Sequence, residues 1–448
     1  MKERQQNLYC VLLLGFLSLL GLPCLLSAQS GEKIYSLGES IEEALANNWS
    51  IKAASERIRE AEEVKEQAKK EFYPKLSTSY GYTHLSEVTR SAPISLGDFG
   101  EIPAYDLNTQ DNYQWKMTVK QPLFTGYALI SAYELSKLGI DLNMVALESK
   151  RLDLALRVKE AYFNILGAQK ALEVTTKAVE ALESNVKVAR SFYNVGMIPI
   201  NDLLKVEVEL SNAEQNRVKA QSGVELAKNA FNAVLARPVL SPLHVEDILV
   251  YRPETGNFEE FLSTALKNRP EIRQIDINLL QADQQIRLAK SKFYPEAALN
   301  YDYIKEGDEP GVSGSAFHDS SYWQVTAGLT WTFFEWGKTR SAVREKESLK
   351  KQLENTRKSI EDGISLDIRK AMLDLEVSAK NIPTTEKAVE QAEENLRVSE
   401  ERYKAQVTTV TEVLDAQTLL TQARTNYYNA LYDHNLARAR LRRALGEY

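Results

Sequence analysis

Four stretches of this chain alternate apolar and polar residues with a period of two, which is typical of two-faced β-strands. They are Leu76–Thr83, Tyr113–Lys120, Ala298–Tyr303 and Trp323–Phe333. One face of each is apolar and aromatic, and the other carries small polar and charged side chains. This pattern over roughly ten residues fits a transmembrane barrel strand. A hairpin packed on a soluble core would show a similar pattern.

In a membrane barrel the apolar face contacts lipid and the polar face surrounds an aqueous lumen. We therefore predict that polar side chains of three of these strands line a lumen. They are Lys116, Lys120, Asp302, Thr326 and Thr330.

Two long stretches have the pattern of helices. Tyr127–Asn194 contains no proline, and Thr339–Lys404 contains only Pro383, where we expect a local bend. At ~1.5 Å per residue each helix would be about 100 Å long, so it must pair with other helices. Apolar and small residues recur at spacings of three and four, which predicts antiparallel coiled-coil hairpins with the helices that follow. His434 falls on this seam, and we expect a packed core residue there.

The elements occur twice along the chain. Phe72–Pro74 recurs as Phe293–Pro295, and Tyr193–Leu204 recurs as Tyr403–Leu414 with a smaller offset, which indicates a shorter loop in the second copy. Each copy has about two hundred residues, far more than the ~20–50 of a solenoid repeat. We interpret the chain as an internal duplication.

Each copy is predicted to contain a helix, a strand pair, a long helix and a return helix. The first helix, Leu37–Phe72, is predicted to be unbroken, and stacked on the return helix it would form a second column beside the long helix. The predicted domains are a signal peptide (1–28), a first repeat (29–236), a linker (237–257) and a second repeat (258–448). The predicted fold class is an α+β membrane protein.

Residues 1–28 have the form of a secretory signal. Lys2 and Arg4 precede an apolar run, Leu8–Leu22, that is shorter than the ~20 residues of a spanning helix. Both cysteines lie in this segment, so we expect no disulfide in the mature chain. The formal net charge of −7 becomes −8 once Lys2, Glu3 and Arg4 are removed, which argues against a nucleic-acid partner. No later stretch approaches a transmembrane helix, so a membrane location would require β-strands.

The turns between the long helices and their return helices resemble those of the TolC-like outer membrane efflux proteins. Arg402–Gln417 resembles the family's C-terminal signature, and Tyr193–Asp202 resembles the same motif in the first half. Gln121–Gly126 and Phe333–Gly337 resemble the strand-to-helix junctions. The resemblance implies a homotrimer, in which three copies of four strands close one outer-membrane barrel and the helices form a periplasmic tunnel. Four strands alone cannot close a barrel, and lipid does not tolerate an open edge.

The resemblance also implies roles for the helical hairpin tips, which form the periplasmic entrance in the family and dock an adapter protein. Residues implied to line the entrance constriction are Asn201, Asp202, Tyr403, Glu412 and Asp415. Residues implied to contact the adapter are Gly196, Met197, Ile198, Gln406, Val407 and Thr408. Two of these depart from the family. Gln406 replaces a glycine, which should make a left-handed turn costlier, and Thr408 replaces a basic residue that latches the entrance in some members.

The tip carboxylates have a second explanation. Thr409–Glu412 matches a capping box, and acidic residues in a first helical turn are stabilised by the helix dipole. This explains Glu412 without any gate, but it explains Asp202 and Asp415 only in part. The four histidines lack metal-ligand spacing. We expect no catalytic activity, no metal and no cofactor.

The favoured function is a passive exit duct in the bacterial outer membrane. An inner-membrane pump of RND, ABC or MFS type and a periplasmic adapter would export small molecules or drugs through it. The alternative within the family is the outer-membrane channel of a type I protein secretion system. A soluble periplasmic coiled-coil scaffold is an alternative of a different class, and the amphipathic strands argue against it.

Overall fold

The structure, a computed structural model, describes residues 34–317 and 319–448. The predicted signal peptide and both cysteines lie outside the described residues. Within those two ranges, no helix combines the length and the apolar character that crossing a membrane requires.

Long helices and one four-stranded sheet make up most of the described chain. The helices are α1 (Leu37–Asn47), α2 (Trp49–Lys70), α3 (Ala128–Asn194), α4 (Ile200–Val234), α5 (Phe258–Asn268), α6 (Pro270–Lys290), α7 (Lys338–Lys404) and α8 (Val410–Ala444). The strands are β1 (Ile34–Tyr35), β2 (Lys75–His84), β3 (Ile94–Ser95), β4 (Glu101–Ile102), β5 (Asp111–Thr125), β6 (His244–Val245), β7 (Glu296–Gly307) and β8 (Ser321–Thr330).

The same elements recur in both halves with matching lengths. Helices α3 and α7 each have 67 residues, α4 and α8 each have 35, and α1 and α5 each have 11. Both long helices begin after two residues with left-handed backbone, namely Gly126 and Tyr127 in the first half and Trp336 and Gly337 in the second. The loop between β7 and β8 is shorter than the loop between β2 and β5, as predicted.

The prediction of one unbroken helix over Leu37–Phe72 is wrong, because the chain turns at Asn48. Asn48 has extended backbone, and its side-chain oxygen accepts a hydrogen bond from the Ser50 backbone nitrogen at 2.9 Å. This is an N-cap that satisfies a free donor at the start of α2. The side-chain amide of Asn48 also donates to the Val234 carbonyl oxygen at 2.8 Å, which fixes the turn against the end of α4.

The two long helices each lie along two shorter ones, as the helix lengths predicted. Helices α2 and α4 pack on α3, and α6 and α8 pack on α7. Seam residues Val179, Leu182, Val186 and Ala189 are buried, which confirms the heptad pattern. Tyr193 was predicted on the same seam, and that prediction is wrong because its side chain is 40% exposed. Helix α7 continues through Pro383.

The segment between α4 and α5 crosses the middle of the helices. Its short strand β6 pairs in parallel with β1, and the Tyr162 hydroxyl lies 3.0 Å from the Tyr35 carbonyl oxygen and 2.8 Å from that of Glu246. Burial raises the pKa of Tyr162 to about 12. His434 is buried beside this segment with Nε2 3.0 Å from the Arg252 carbonyl oxygen, so its prediction as a packed core residue is confirmed.

The sheet has the strand order β2-β5-β7-β8, and every pairing is antiparallel. Among the strand pairings of this sheet in the described residues, only β5–β7 joins the two halves. Strand β8 ends at Thr330, so the prediction that it reaches Phe333 is wrong. The long loop between β2 and β5 contains the short hairpin of β3 and β4.

The turn at Gln406 yields a prediction about stability. Gln406 has φ +59° where the matching residue Gly196 has φ +80°, and a left-handed residue with a side chain costs roughly 1–2 kcal/mol. Glycine loses more backbone entropy on folding than glutamine does, which offsets about 0.4–1 kcal/mol of that gain. Gln406→Gly should therefore stabilise the tip by about 0.5–1 kcal/mol, which slows amide hydrogen exchange at the end of α7 about two- to fivefold. Gly196→Gln is the matched control and should speed exchange at the end of α3. Faster exchange in Gln406→Gly would mean that the glutamine side chain stabilises the turn.

Candidate functional site

The sheet has one apolar face and one polar face. Trp323, Val325 and Leu329 lie on the apolar face and are 65%, 54% and 69% exposed. Exposed aromatic and aliphatic side chains in this number are unusual on a face that contacts water. The polar face is concave and lines two cavities, one at each end of the sheet.

All the residues predicted to line a lumen lie on the polar face. The register pairs Lys120 with Asn300, and Asn300 with Thr326, so these three residues share one level of the sheet. Paired residues in an antiparallel sheet point to the same face. The register and the period of two place all five predicted residues on this face. They are Lys116, Lys120, Asp302, Thr326 and Thr330.

Asp302 is the centre of a polar network on this face. It is 5% exposed, and it accepts hydrogen bonds from Thr118 Oγ1 at 2.6 Å and Gln324 Nε2 at 3.3 Å. Lys116 Nζ lies 3.1 Å from Asp302 Oδ2, the same oxygen that Gln324 contacts. These contacts join three neighbouring strands. The sequence placed Thr118 and Gln324 on the polar face, but only the register shows that both contact Asp302.

The two hairpin tips have the same backbone. In the first, the Gly196 nitrogen donates to the Tyr193 carbonyl oxygen at 2.9 Å, and the Met197 nitrogen donates to that of Phe192 at 2.8 Å. In the second, Gln406 and Val407 make the equivalent bonds. This pair of bonds is a Schellman motif, which satisfies the last carbonyl groups of a helix.

The residues predicted to contact an adapter differ in exposure. Met197 and Val407 are apolar and exposed at the two tips, and Gly196 and Gln406 beside them are exposed as well. Ile198 and Thr408 are half-buried and point toward the helices. Each tip therefore presents an exposed apolar side chain, Met197 or Val407, directly after a residue with left-handed backbone.

The five residues predicted at the entrance form two pairs and one separate residue, Glu412. Asn201 and Asp415 line the same groove between the first turns of α4 and α8, which has a volume of about 780 Å³ and also contains Lys205 and Glu209. Asp202 lies outside this groove, 3.8 Å from Lys205 Nζ.

Tyr403 lies beside Asp202. Its ring packs on Phe192 with the centroids 5.5 Å apart, and its hydroxyl is buried without a hydrogen-bond partner among the described residues. Burial raises the pKa of the Tyr403 phenol, and the Asp202 carboxylate raises it further. The sequence-related Tyr193 is exposed instead, so the two tips are not equivalent in this contact.

Glu412 has a different environment from the other tip carboxylates. Arg402 Nη1 lies 3.1 Å from its carboxylate, and the Thr408 hydroxyl donates to it. The prediction of a capping box at Thr409 is wrong, because the Thr409 side chain makes no cap hydrogen bond. The residue before it binds the carboxylate instead, and the arginine at the end of α7 compensates the charge. No described group of His, Cys, Asp or Glu side chains could hold a metal ion.

Comparison with known proteins gives matches along most of the chain. A family model described as outer membrane efflux protein matches residues 40–237 and residues 261–447. Outer membrane protein TolC of Escherichia coli K12 is 23% identical over 444 residues, which cover 96% of this chain and 85% of TolC. Alkaline protease secretion protein AprF of Pseudomonas aeruginosa is 23% identical over 409 residues, covering 89% of this chain and 82% of AprF.

Solved structures share the fold. The open state of the MtrE outer membrane channel of Neisseria gonorrhoeae gives a TM-score of 0.72 at 20% identity, covering 92% of this chain and 89% of MtrE. A structure of CusC gives a TM-score of 0.75 at 16% identity, covering 93% of each chain. The resemblance found in the sequence is thus confirmed. The chain belongs to the outer membrane efflux protein family and is an outer-membrane efflux channel.

Proposed function

We propose that three copies of this chain form a passive duct, with a closed barrel in the outer membrane and a helical tunnel in the periplasm. The observation that supports this most strongly is the sheet. It has an exposed apolar face, a concave polar face and two outer strands, β2 and β8, that each have one neighbour within the described chain. In hydrocarbon such edges must be paired, because no water is present to satisfy the backbone groups.

Pairing β2 of one copy with β8 of the next satisfies both edges by the same contact in every copy. A closed ring of three sheets then places the Trp323 face in lipid and the Asp302 face around water. A barrel of this width keeps an aqueous channel, whereas two copies would give an eight-stranded barrel filled by side chains. The recurrence of each helix and strand in both halves supports an internal duplication as the origin of the chain.

The hairpin tips are proposed as the periplasmic entrance and the adapter-docking surface. Three copies would bring Asp202, Asp415 and the groove that Asp415 lines around one axis, with Met197 and Val407 exposed below. We propose an inner-membrane pump as the energy source for export through the duct.

Small molecules are the favoured class of cargo. The names of the relatives point to more than one class, because AprF is described as an alkaline protease secretion protein and CzcC of Cupriavidus metallidurans as a cobalt-zinc-cadmium resistance protein. A type I protein secretion channel therefore stays the second candidate. Cross-linking in cells, followed by identification of the attached pump, separates the two.

The oligomeric state is the first test. The purified protein in mild detergent should have the mass of a trimer by light scattering, and it should dissociate only on heating. A monodisperse monomer that is stable without detergent would overturn both the barrel and the duct.

The faces of the sheet are the second test. Val325→Arg should impair assembly into heat-resistant trimers in the outer membrane, because a cation at the bilayer midplane costs roughly 2–4 kcal/mol. Thr326→Arg is the matched control, since this neighbouring residue lies on the polar face, and it should assemble normally. Equal assembly of the two variants would mean that the faces have been assigned incorrectly.

The entrance carboxylates are the third test. A ring of Asp side chains raises the local cation concentration and favours cation conduction. Asp202→Ala with Asp415→Ala should lower the cation selectivity of single channels in planar bilayers and leave the heat resistance of the trimer unchanged. Glu412→Gln is the control and should change selectivity little, because Arg402 already compensates this charge. Unchanged selectivity with earlier melting of the double variant would identify the two aspartates as helix-stabilising residues only.

A further inference from the structure

One level of the sheet carries two lysines and no carboxylate. The register aligns Lys75 of β2, Lys120 of β5, Asn300 of β7 and Thr326 of β8, so all four strands contribute a residue to this level of the polar face. Lys75 and Lys120 lie directly opposite each other on neighbouring strands. Like charges in this position repel each other, so the pair is unfavourable for the sheet itself.

The two lysines differ in their partners. Lys75 forms an ion pair with Glu71, which ends α2 just before the strand. Lys120 is exposed and has no ion pair within residues 34–317 and 319–448. Both line a cavity of about 480 Å³ on the concave face, next to the start of α3.

The two carboxylates that line this cavity, Glu71 and Glu296, already form ion pairs. Glu71 contacts Lys75, and Glu296 lies 3.0 Å from Lys292. One level higher, about 7 Å along the strand, Asp302 is bound by Lys116, Thr118 and Gln324. Lys120 therefore adds an uncompensated positive charge to a polar, concave surface.

We infer that Lys75 and Lys120 of three copies form a basic ring in the lumen that binds anions, above all multivalent ones such as phosphate-bearing small molecules. This rests on the proposed closed trimer, in which threefold symmetry places the three copies of Lys120 at one height around the lumen and the three copies of Lys75 beside them, six lysines in all. A charged, water-filled passage with low-dielectric walls concentrates ions of opposite sign, and rings of lysine select anions. Along the duct, a basic ring in the sheet then follows an acidic entrance at the helical tips.

The two rings of opposite sign have a consequence for the cargo. A cation is attracted by the acidic entrance and repelled by the basic ring in the sheet. An anion is repelled by the entrance and attracted by the ring. A molecule that carries both charges, or an anion that travels with a cation, is attracted at both places. The basic ring thus makes the duct less cation-selective than its acidic tips alone would.

The test uses the full trimer in planar bilayers with inorganic pyrophosphate added on the side of the extracellular loops. Lys120→Gln breaks none of the ion pairs described above and should still form channels. It should become more cation-selective, and the pyrophosphate concentration that halves the current should rise about tenfold, the lower end of the enrichment that a charged cleft produces. Lys120→Glu should shift selectivity further in the same direction.

Lys137→Gln is the control. The Lys137 side chain is 59% exposed on α3, in the helical part, so this variant removes the same charge elsewhere and should match the unmodified protein.

The outcomes separate this inference from the proposed duct. Unmodified protein that forms no trimer or no channel would overturn the proposed function and the basic ring with it. Channels of normal conductance whose selectivity and pyrophosphate block are the same in Lys120→Gln, Lys120→Glu and the unmodified protein would overturn the basic ring and leave the duct intact. If Lys120→Glu fails to assemble, Lys120→Gln alone decides between these results.

Discussion

Backbone hydrogen bonding at the outer edges of β2 and β8 constrains the whole molecule. Each edge presents a row of N–H and C=O groups that pair with nothing in the described chain. An unpaired group in hydrocarbon costs several kcal/mol, so an open four-stranded sheet with an exposed apolar face is stable in a membrane only when further copies close it. In the trimer that we propose, the lumen, the rings of charge and the common axis of the helical tips all follow from this closure.

The helices are subject to a related constraint of length. A 67-residue helix has far more surface than it can bury by itself, so α3 and α7 each require two shorter helices along their sides. The chain breaks between α1 and α2 and again between α5 and α6, which lets the shorter helices follow the long ones. Tyr162 holds the middle of this arrangement, where its buried hydroxyl meets the carbonyl groups of two crossing segments.

The two halves share one backbone and differ in charge. At the matching positions of the tips, Asp202 lies beside the buried Tyr403, while Glu412 is compensated by Arg402. Lys205 and Asp415, also at matching positions, line the same groove. A repeated fold can thus present distinct side chains at its two tips, because the Schellman turns fix the backbone through main-chain bonds and leave the side chains free to differ.

The sequence by itself determined the order of the elements, the two faces of each strand and the heptad seam. These properties depend on local periodicity, which a chain carries along its length. The sequence did not reveal the break at Asn48, because this break depends on a contact with the distant Val234 carbonyl. It also suggested a capping box at Glu412, where Arg402 and Thr408 bind the carboxylate instead. Only the tertiary structure aligned Lys75 with Lys120 and surrounded Asp302 with three strands. Register joins residues far apart in sequence, and a period of two specifies the face of a strand but not its neighbours.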